Sequence, residues 1–222
     1  MPHPKAGYSL ADGSKVPGVT TIIGRFKDSG GLLFWAFNVG KSGANRLYEE
    51  RDAAGDAGTF AHALVEAHLR DPASVATMSA PAGLPSDVVE KGLNAYETYL
   101  SWERQSKLKI IAQEESMVSE KYRFGGTLDA VGEIEGKRCI VDWKTSNGVY
   151  TDYLIQVAAY KHLWEAAHPD MLIDGGFHIC RFSKEFGDFG HHYYANLDAA
   201  WRQFVLFREA YDIDNELKKR VK

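Results

Sequence analysis

The chain has 222 residues, of which 45% are hydrophobic, with a formal net charge of -4 and a pI near 6.1. This composition supports a full hydrophobic core, and we expect one domain over residues 1–222, helical up to about residue 105 and built on a sheet from about residue 106. The negative net charge argues against a protein that coats nucleic acid with its whole surface. It is compatible with binding of nucleic acid at one local site.

Neither a membrane segment nor a cysteine-based site is predicted. The longest apolar run, residues 31–37, is far shorter than the roughly 20 residues that cross a bilayer, and the first residues lack the apolar region of a signal peptide. We therefore expect a cytoplasmic protein with no membrane partner. Cys139 and Cys180 have no second cysteine nearby, so we expect neither a disulfide framework nor an iron-sulfur cluster.

The first half of the chain is predicted to be mostly helical. A short hairpin with an Asp12-Gly13 turn comes first, and a helix with Thr20 or Thr21 near its cap follows. The stretch 71–85 is rich in Ala, Ser and Pro and predicts a loop. The predicted elements are the hairpin at 8–16, helices at 17–25, 32–39 and 44–51, a helix that opens at 56 or 58, and a helix at 87–105 capped by Ser86.

The second half alternates strands with two long helices. Three strands are followed by a helix, two more strands and a closing helix. This order, with extra helices at both ends, predicts an α/β sandwich around a small mixed β-sheet. The strands are predicted at 108–120, 127–134, 137–144, 173–182 and 188–195, and the helices at 151–167 and 197–219.

The register of the central hairpin follows from its turn. Glu135-Gly136 suits a two-residue turn that sets Ile134 opposite Lys137, and the same register sets Asp129 opposite Asp142. One face of the hairpin is then wholly apolar. A one-residue slip, for instance through a three-residue loop with a bulge, would mix the two faces, so we prefer the direct register.

Two opposed aspartates need a positive partner. Directly opposed side chains have β-carbons about 4.5–5.5 Å apart, a spacing at which Asp129 and Asp142 repel each other. Lys144 lies on the same strand face, but one ammonium leaves net negative charge and open oxygen ligands. A divalent cation completes the group, with the backbone carbonyl of Trp143 as a further oxygen ligand. The pattern therefore predicts a metal-dependent site that cleaves phosphodiester bonds.

Two helices carry pairs of polar residues four positions apart. His62 and Glu66 share one helix face, and His62 can supply a nitrogen ligand if that helix packs across the hairpin. Taken alone, each is more often a solvated or satisfied residue, by roughly three to one, and the aspartate pair shifts those odds. Gln156 and Tyr160 are either core residues joined by a hydrogen bond, or they orient Lys144 or a phosphate.

Three further residues are candidates for contacts with substrate phosphates. Arg123 lies just ahead of the glycines that precede Asp129, beside the proposed site. Thr145 and Ser146 offer hydroxyl donors where the strand of Lys144 ends. We count these three in the predicted substrate-binding set.

Four motifs spaced along the chain combine these residues: Gly58-Thr-x-x-His62-x-x-x-Glu66, Gly126-Thr-x-Asp129, Asp142-x-Lys144 and Gln156-x-x-x-Tyr160. Together they resemble the RecB-like branch of the PD-(D/E)XK nucleases. Residues 16–22, Val-Pro-Gly-Val-Thr-Thr-Ile, resemble the leading element of mitochondrial genome maintenance exonucleases and their phage counterparts. The resemblance covers most of residues 16–165 and implies a restriction-endonuclease-like αβββαβ core.

The resemblance also implies a chemistry. In that family the residues matching His62, Asp129 and Asp142 bind Mg²⁺ or Mn²⁺, and the residue matching Lys144 works with the attacking water. Glu66 joins the catalytic group. The cluster-binding cysteines of some relatives are missing, which again implies no iron-sulfur cluster. The expected activity is a DNA exonuclease acting from ends, preferring single strands, in recombination or repair in a phage or bacterium. A separate helicase or recombination protein is the expected partner.

Two other functions stay open. A site-specific or structure-specific DNA endonuclease would need a recognition surface, and the chain has no obvious extra domain for one. A catalytically silent DNA-binding module would keep the fold without the chemistry. The intact set of His62, Asp129, Asp142 and Lys144 argues against that last alternative.

Overall fold

The computed structural model describes residues 7–27, 44–183 and 188–221, so the helix predicted at 32–39 lies outside the described residues. The helices are α1 (Val19–Phe26), α2 (Ala44–Arg70), α3 (Pro72–Val75), α4 (Ser86–Ser106), α5 (Thr151–Ala167) and α6 (Asp198–Arg220). The strands are β1 (Tyr8–Ser9), β2 (Lys15–Val16), β3 (Lys109–Gln113), β4 (Ser116–Ser119), β5 (Phe124–Thr127), β6 (Ala130–Ile134), β7 (Lys137–Thr145), β8 (Phe177–Phe182) and β9 (Phe189–Tyr194).

A five-stranded mixed sheet in the order β3-β6-β7-β8-β9 forms the centre of the fold. β7 and β8 run parallel, and the other neighbours run antiparallel. Parallel neighbours need a long crossover, which α5 supplies between β7 and β8. The α/β fold predicted from the element order, a small mixed sheet flanked by helices, is confirmed.

Helices cover both faces of this sheet. On one face α2 and α4 pack against the buried side chains of Val141, Trp143 and Phe182. On the other face α1, α5 and α6 pack against Val131 and Ile140. Each such apolar side chain contributes about 1.5–3 kcal/mol by leaving water. Because strand residues alternate between faces, the residue between Val141 and Trp143 is directed toward the α5 side of the sheet.

The turn of the β6-β7 hairpin is confirmed as predicted. Ile134 lies opposite Lys137 and the register continues without a slip to the end of the ladder. Glu135 and Gly136 have φ values of 53° and 76°, the pair of left-handed conformations that a two-residue hairpin turn requires. The sequence therefore determines which residues of this hairpin share a face.

The strands predicted at 108–120 and 127–134 need correction. Each stretch contains parts of two strands: β3 pairs with β6 in the main sheet, while β4 pairs with β5 in a separate two-stranded sheet. The first break falls at Glu114, whose φ of 52° cannot continue a strand. The second break falls at Asp129, between β5 and β6. The Glu114 N–H donates to the Asp129 carbonyl at 2.9 Å and holds the two breaks side by side.

The first elements agree with prediction except in capping. The hairpin around Asp12-Gly13 is confirmed as β1 and β2. α1 starts at Val19 after Gly18 and has no side-chain cap, so the predicted cap at Thr20 or Thr21 is wrong. Val19 is buried in the core, and this packing rather than a capping hydroxyl sets where the helix begins.

α2 is one continuous helix of 27 residues, so the prediction of separate helices before and after residues 52–55 is wrong. A glycine inside a helix costs only about 1 kcal/mol relative to alanine. Burial of Phe60, Leu64 and Val65 on the second half of the helix outweighs that cost.

The remaining elements lie where they were predicted, with small shifts at their ends. The loop at 71–85 contains the single turn α3, where the Asp71 side chain accepts the Ala73 N–H at 3.1 Å. Ser86 is the first residue of α4, so its predicted capping role is wrong and Pro85 precedes the helix.

Within the described ranges, no helix has the length and apolar character needed to cross a membrane.

Candidate active site

Asp129 and Asp142 meet at the end of the β6-β7 hairpin. The backbone ladder stops at Ala130 opposite Val141, one pair short of the predicted Asp129–Asp142 pair. Beyond this pair the Asp129 side chain replaces the backbone as hydrogen-bond partner of β7, because its Oδ2 accepts the Trp143 N–H at 2.9 Å. The two aspartates are only 2% and 1% exposed. The break before β6 therefore places a carboxylate, rather than a backbone pair, beside β7.

Oδ1 of Asp129 and both side-chain oxygens of Asp142 are buried and make no hydrogen bond. Asp142 Oδ2 lies at ion-pair distance from Lys144 Nζ, 2.6 Å, which leaves Oδ1 of each aspartate open. Leaving a buried carboxylate oxygen unpaired is costly unless something binds it. The pair thus offers two open oxygen ligands in a site closed to bulk water.

Lys144 lies next to Asp142, on the strand face that the alternation of β7 predicts. Its Nζ is 2.6 Å from Asp142 Oδ2, and its side chain is 14% exposed. Burial lowers the pKa of Lys144, but the charges of Asp142 and Asp129 outweigh burial, so the net pKa is raised. Lys144 therefore stays a cation and partly neutralises the two aspartates.

The aspartates hold protons more tightly than ordinary carboxyls. Burial and the charge of Asp129 raise the pKa of Asp142 to about 7, against the opposing charge of Lys144. Burial also raises the pKa of Asp129, against the charge of Lys144 and the hydrogen bond from Trp143. One ammonium is therefore not enough to stabilise both carboxylates in ionised form, which agrees with the charge argument from the sequence.

His62 lies on α2 over Trp143, at the edge of the aspartate pair. The two rings have centroids 6.3 Å apart. His62 Nε2 is 3.5 Å from Glu66 Oε1 and makes no hydrogen bond. Burial and the charge of Lys144 lower the pKa of His62 to about 4, so the imidazole is neutral at pH 7. A neutral imidazole is the form that binds metal ions.

Gly58 sets how closely α2 approaches β7. A β-carbon at this position would overlap the side chain of Thr145, the last residue of β7. Gly58 and His62 are one helical turn apart, so the close approach at Gly58 brings His62 toward the end of β7. The first glycine of the first motif therefore has a packing role at the site.

Replacing Gly58 by alanine should separate α2 from β7. We expect Gly58→Ala to lower the free energy of unfolding by about 1–3 kcal/mol, the usual cost of overpacking. The matched control is Gly24→Ala in α1, where an added β-carbon meets no atom within 4 Å, and this change should be neutral or stabilising. Urea denaturation of both variants measures the difference, and equal effects would contradict the packing role.

Gln156 and Tyr160 lie behind the aspartates on α5. The Gln156 amide donates to the Tyr160 hydroxyl at 2.8 Å. Tyr160 is buried, and its pKa is raised well above its ordinary value, first by burial and then by the charges of Asp129 and Asp142. Its neutral phenol therefore faces the carboxylates, where it can support their positions.

Glu114 is a fourth acidic residue at the site that sequence reasoning missed. Burial, together with a hydrogen bond from Glu114 and its charge, raises the pKa of Glu66 to about 7. Arg70 Nη2 lies 2.8 Å from Glu114 and 3.9 Å from Glu66. In the sequence, the only signal for Glu114 is an acidic pair interrupting a strand pattern.

The three residues predicted to contact phosphate lie in different places. Thr145 ends β7 beside Gly58. Ser146 donates its hydroxyl to the Gly148 carbonyl at 2.7 Å, inside the loop that follows β7. Arg123 precedes β5 and donates to Ser14 at 3.2 Å, so the four residues of β5, roughly 13 Å when extended, separate it from the aspartates.

The open atoms fit a divalent metal ion. The buried atoms that lack a hydrogen-bond partner include His62 Nε2, Asp129 Oδ1 and Asp142 Oδ1, which lie on neighbouring segments. In the described part of the chain, no three His, Cys, Asp or Glu side chains already stand in a coordinating arrangement. The Lys144 ammonium lies against Asp142 instead, and His62 is turned toward Glu66. One nitrogen and two oxygens suit Mg²⁺ or Mn²⁺.

Comparisons with known proteins give one family match. A model of the PD-(D/E)XK nuclease superfamily matches residues 35–206. A crystal structure from Eubacterium rectale, described as a candidate exonuclease, is 15% identical over 68% of this chain and 64% of that chain, with a TM-score of 0.45. The chain thus spans less than two thirds of that neighbour. The crystal structure of SSO0001 is 14% identical over 67% of this chain and 68% of that chain, with a TM-score of 0.31. No curated protein matches the sequence.

Proposed function

The chain belongs to the PD-(D/E)XK nuclease superfamily, and from that premise we propose that it is a metal-dependent DNA exonuclease that hydrolyses phosphodiester bonds from DNA ends and prefers single strands. The observation that carries the proposal is the pair of buried aspartates, each with an open oxygen, beside a lysine held 2.6 Å from one of them. Burying such a group costs free energy, so it persists where chemistry needs it.

His62, Asp129 and Asp142 would hold Mg²⁺ or Mn²⁺, with the backbone carbonyl of Trp143 as a further oxygen ligand. Superfamily members use divalent ions, and His62 as a nitrogen ligand favours Mn²⁺ as an effective substitute. When bound, such an ion lowers the pKa of a water molecule and neutralises charge that develops on the phosphate.

The remaining side chains position the water and the substrate. Lys144 holds a proton at Nζ and, close to Asp142, orients the attacking water toward the phosphorus. The hydrogen bond from Gln156 fixes the Tyr160 ring against the aspartates. Glu66, whose pKa is raised to about 7 by burial and by Glu114, can accept or return a proton near pH 7. Arg123, Thr145 and Ser146 remain the proposed phosphate contacts.

One digestion series tests this function. Linear single- and double-stranded DNA, labelled at the 5′ or the 3′ end, is incubated with the full chain in Mg²⁺, in Mn²⁺ or in EDTA. We expect stepwise release of label or mononucleotides with either ion, faster on single strands, and no products in EDTA. Cleavage of covalently closed circular DNA would favour an endonuclease, and an absence of cleavage on every DNA would favour a silent binding module.

The raised pKa of Asp142 predicts a pH dependence in the metal-free protein. The pKa rises from 3.8 to about 7 on folding, so the folded chain binds this proton more tightly than the unfolded chain. Asp142 therefore stabilises the fold at low pH, and that contribution is lost as the pH rises through about 7; Glu66 acts in the same direction. Thermal unfolding in EDTA should give a lower Tm at pH 8 than at pH 5.5.

The control for this pH dependence is Asp142→Asn. The amide does not titrate, so the variant should lose part of the fall in Tm between pH 5.5 and pH 8 while keeping the part due to Glu66. A variant whose Tm profile matches that of the wild type would contradict the raised pKa of Asp142.

A further inference from the structure

Two tyrosines at the start of α5 place an exposed aromatic ring beside Lys144. Tyr153 lies under the lysine, with Lys144 Nζ 5.4 Å from its ring centroid. Tyr150, directly before the first residue of α5, packs against Tyr153 edge to face, with centroids 5.5 Å apart and planes at 79°. Tyr150 is 53% exposed. An open ring face therefore lies one side chain away from the lysine of the proposed active site.

The loop that carries Tyr150 is tied down at several points. The Ser146 N–H donates to the Phe182 carbonyl at 2.9 Å, and Arg181 donates to the Ser146 carbonyl at 3.3 Å. The Ser146 hydroxyl donates to the Gly148 carbonyl, and the Tyr153 N–H donates to the Tyr150 carbonyl at 3.0 Å. The exposure of the Tyr150 ring is therefore a property of a braced loop, which suits a preformed binding surface.

A single exposed aromatic residue is ordinary on a protein surface. Tyr150 differs from exposed apolar residues such as Leu206 and Leu217 on α6 because it packs on Tyr153, the ring that lies under Lys144. A substrate phosphate placed at Lys144 would bring a neighbouring sugar and base past the Tyr153 and Tyr150 rings. The position rather than the exposure gives the ring a role.

We propose that Tyr150 stacks on one unpaired nucleobase of the DNA strand whose phosphate is cleaved, with Tyr153 holding the Tyr150 ring in place. This inference rests on the proposed nuclease function and specifies its substrate. Aromatic rings stack on any base, so the contact is tolerant of sequence. Bases inside a duplex already stack on their neighbours, so only an unpaired or frayed base can meet Tyr150. The contact thus accounts for a preference for single strands.

Removing the ring should weaken substrate binding more than turnover. With a single-stranded oligonucleotide and Mg²⁺, Tyr150→Ala should raise KM by about tenfold or more with little change in kcat, given the usual strength of base–aromatic stacking. Tyr150→Trp keeps a ring and should retain a KM close to that of the wild type. The matched control is Tyr193→Ala on β9, a tyrosine that is 54% exposed, which should leave KM unchanged.

Removing the base instead of the ring gives the sharper test. An oligonucleotide with an abasic position at the terminal nucleotide from which digestion proceeds should raise KM for the wild type by a similar factor. The same abasic position should have little further effect on Tyr150→Ala, because the stacking partner is already gone. A 2-aminopurine at that position should have its fluorescence quenched by the wild type and by Tyr150→Trp, and less by Tyr150→Ala.

The outcomes separate this inference from the proposed function. If the wild type cleaves DNA but Tyr150→Ala and the abasic substrate both leave KM unchanged, the stacking contact is wrong and the nuclease function stands. If the wild type cleaves no DNA, the proposed function is wrong, and the 2-aminopurine signal, which needs no turnover, still tests the contact. Equal quenching by the wild type and Tyr150→Ala would then overturn it.

Discussion

Replacing Asp142 by asparagine should abolish DNA cleavage and leave the fold intact. Asp142 is 1% exposed, lies 2.6 Å from Lys144 and carries one of the two open carboxylate oxygens. An asparagine side chain has the same shape, so packing survives, but it would offer no negative charge to a metal ion or to Lys144. We expect turnover to fall by about three orders of magnitude or more, as for other lost charge-stabilising groups. Initial rates with Mg²⁺ measure the loss.

The control for this variant is Asp87→Asn on α4. Asp87 has a side chain that is 68% exposed and pairs with Lys91 one turn along the helix, so its charge contributes far less than that of a buried carboxylate. This change should leave both activity and Tm within error of the wild type. Circular dichroism establishes that both variants are folded. Cleavage by Asp142→Asn at a rate near that of the wild type would remove Asp142 from the site.

Replacing Lys144 by alanine should slow turnover while metal binding persists. The ammonium neutralises Asp142 in the metal-free protein, and its loss leaves both carboxylates free for a cation. If Lys144 orients the attacking water, its loss should lower kcat by about 10²–10⁴-fold, the usual range for a positioned acid–base group. Calorimetric titration with Mn²⁺ at pH 8 should still detect binding, at least as tight as in the wild type.

Lys109→Ala is the matched control for Lys144→Ala. Lys109 is also a strand lysine paired with a carboxylate, since its Nζ lies 3.5 Å from Glu133, but its side chain is 76% exposed. Exposed pairs of this kind contribute little, so Lys109→Ala should keep its activity. Loss of Mn²⁺ binding in Lys144→Ala would contradict the role given to Lys144, because it would make the lysine a support of the metal site.

The centre of the fold could be predicted because local signals were strong there. The Glu135-Gly136 turn and the alternation along β7 fix the hairpin register, so the common face of Asp142 and Lys144 follows from the sequence. Helix boundaries were harder. The continuity of α2 past Gly58 depends on burial against β7, which no local pattern reports. Tertiary packing overrides intrinsic propensity at such positions.

The grouping of the candidate site residues could be predicted in part from the sequence. Sequence motifs in three separate parts of the chain predicted one group of side chains, which consists of His62, Asp129, Asp142 and Lys144. Glu114 was missed because its role arises from a left-handed backbone break that sets it against Asp129, a contact that depends on the folded sheet. Tyr150 was missed because its proposed role depends on packing against Tyr153 near Lys144, and such a contact is a property of the fold.

The ion pair between Lys144 and Asp142 has a practical consequence. The lysine serves as an internal counterion, and apolar side chains pack together on both faces of the sheet. Removal of the metal ion by a chelator should therefore abolish nuclease activity without unfolding the protein. Small domains whose fold depends on a structural metal behave differently, because they unfold when the metal is removed. Protein and DNA can then be mixed in EDTA, and the cleavage reaction can be started in all complexes at once by adding excess Mg²⁺. This synchronised start makes the first catalytic cycle accessible to rapid-mixing measurements.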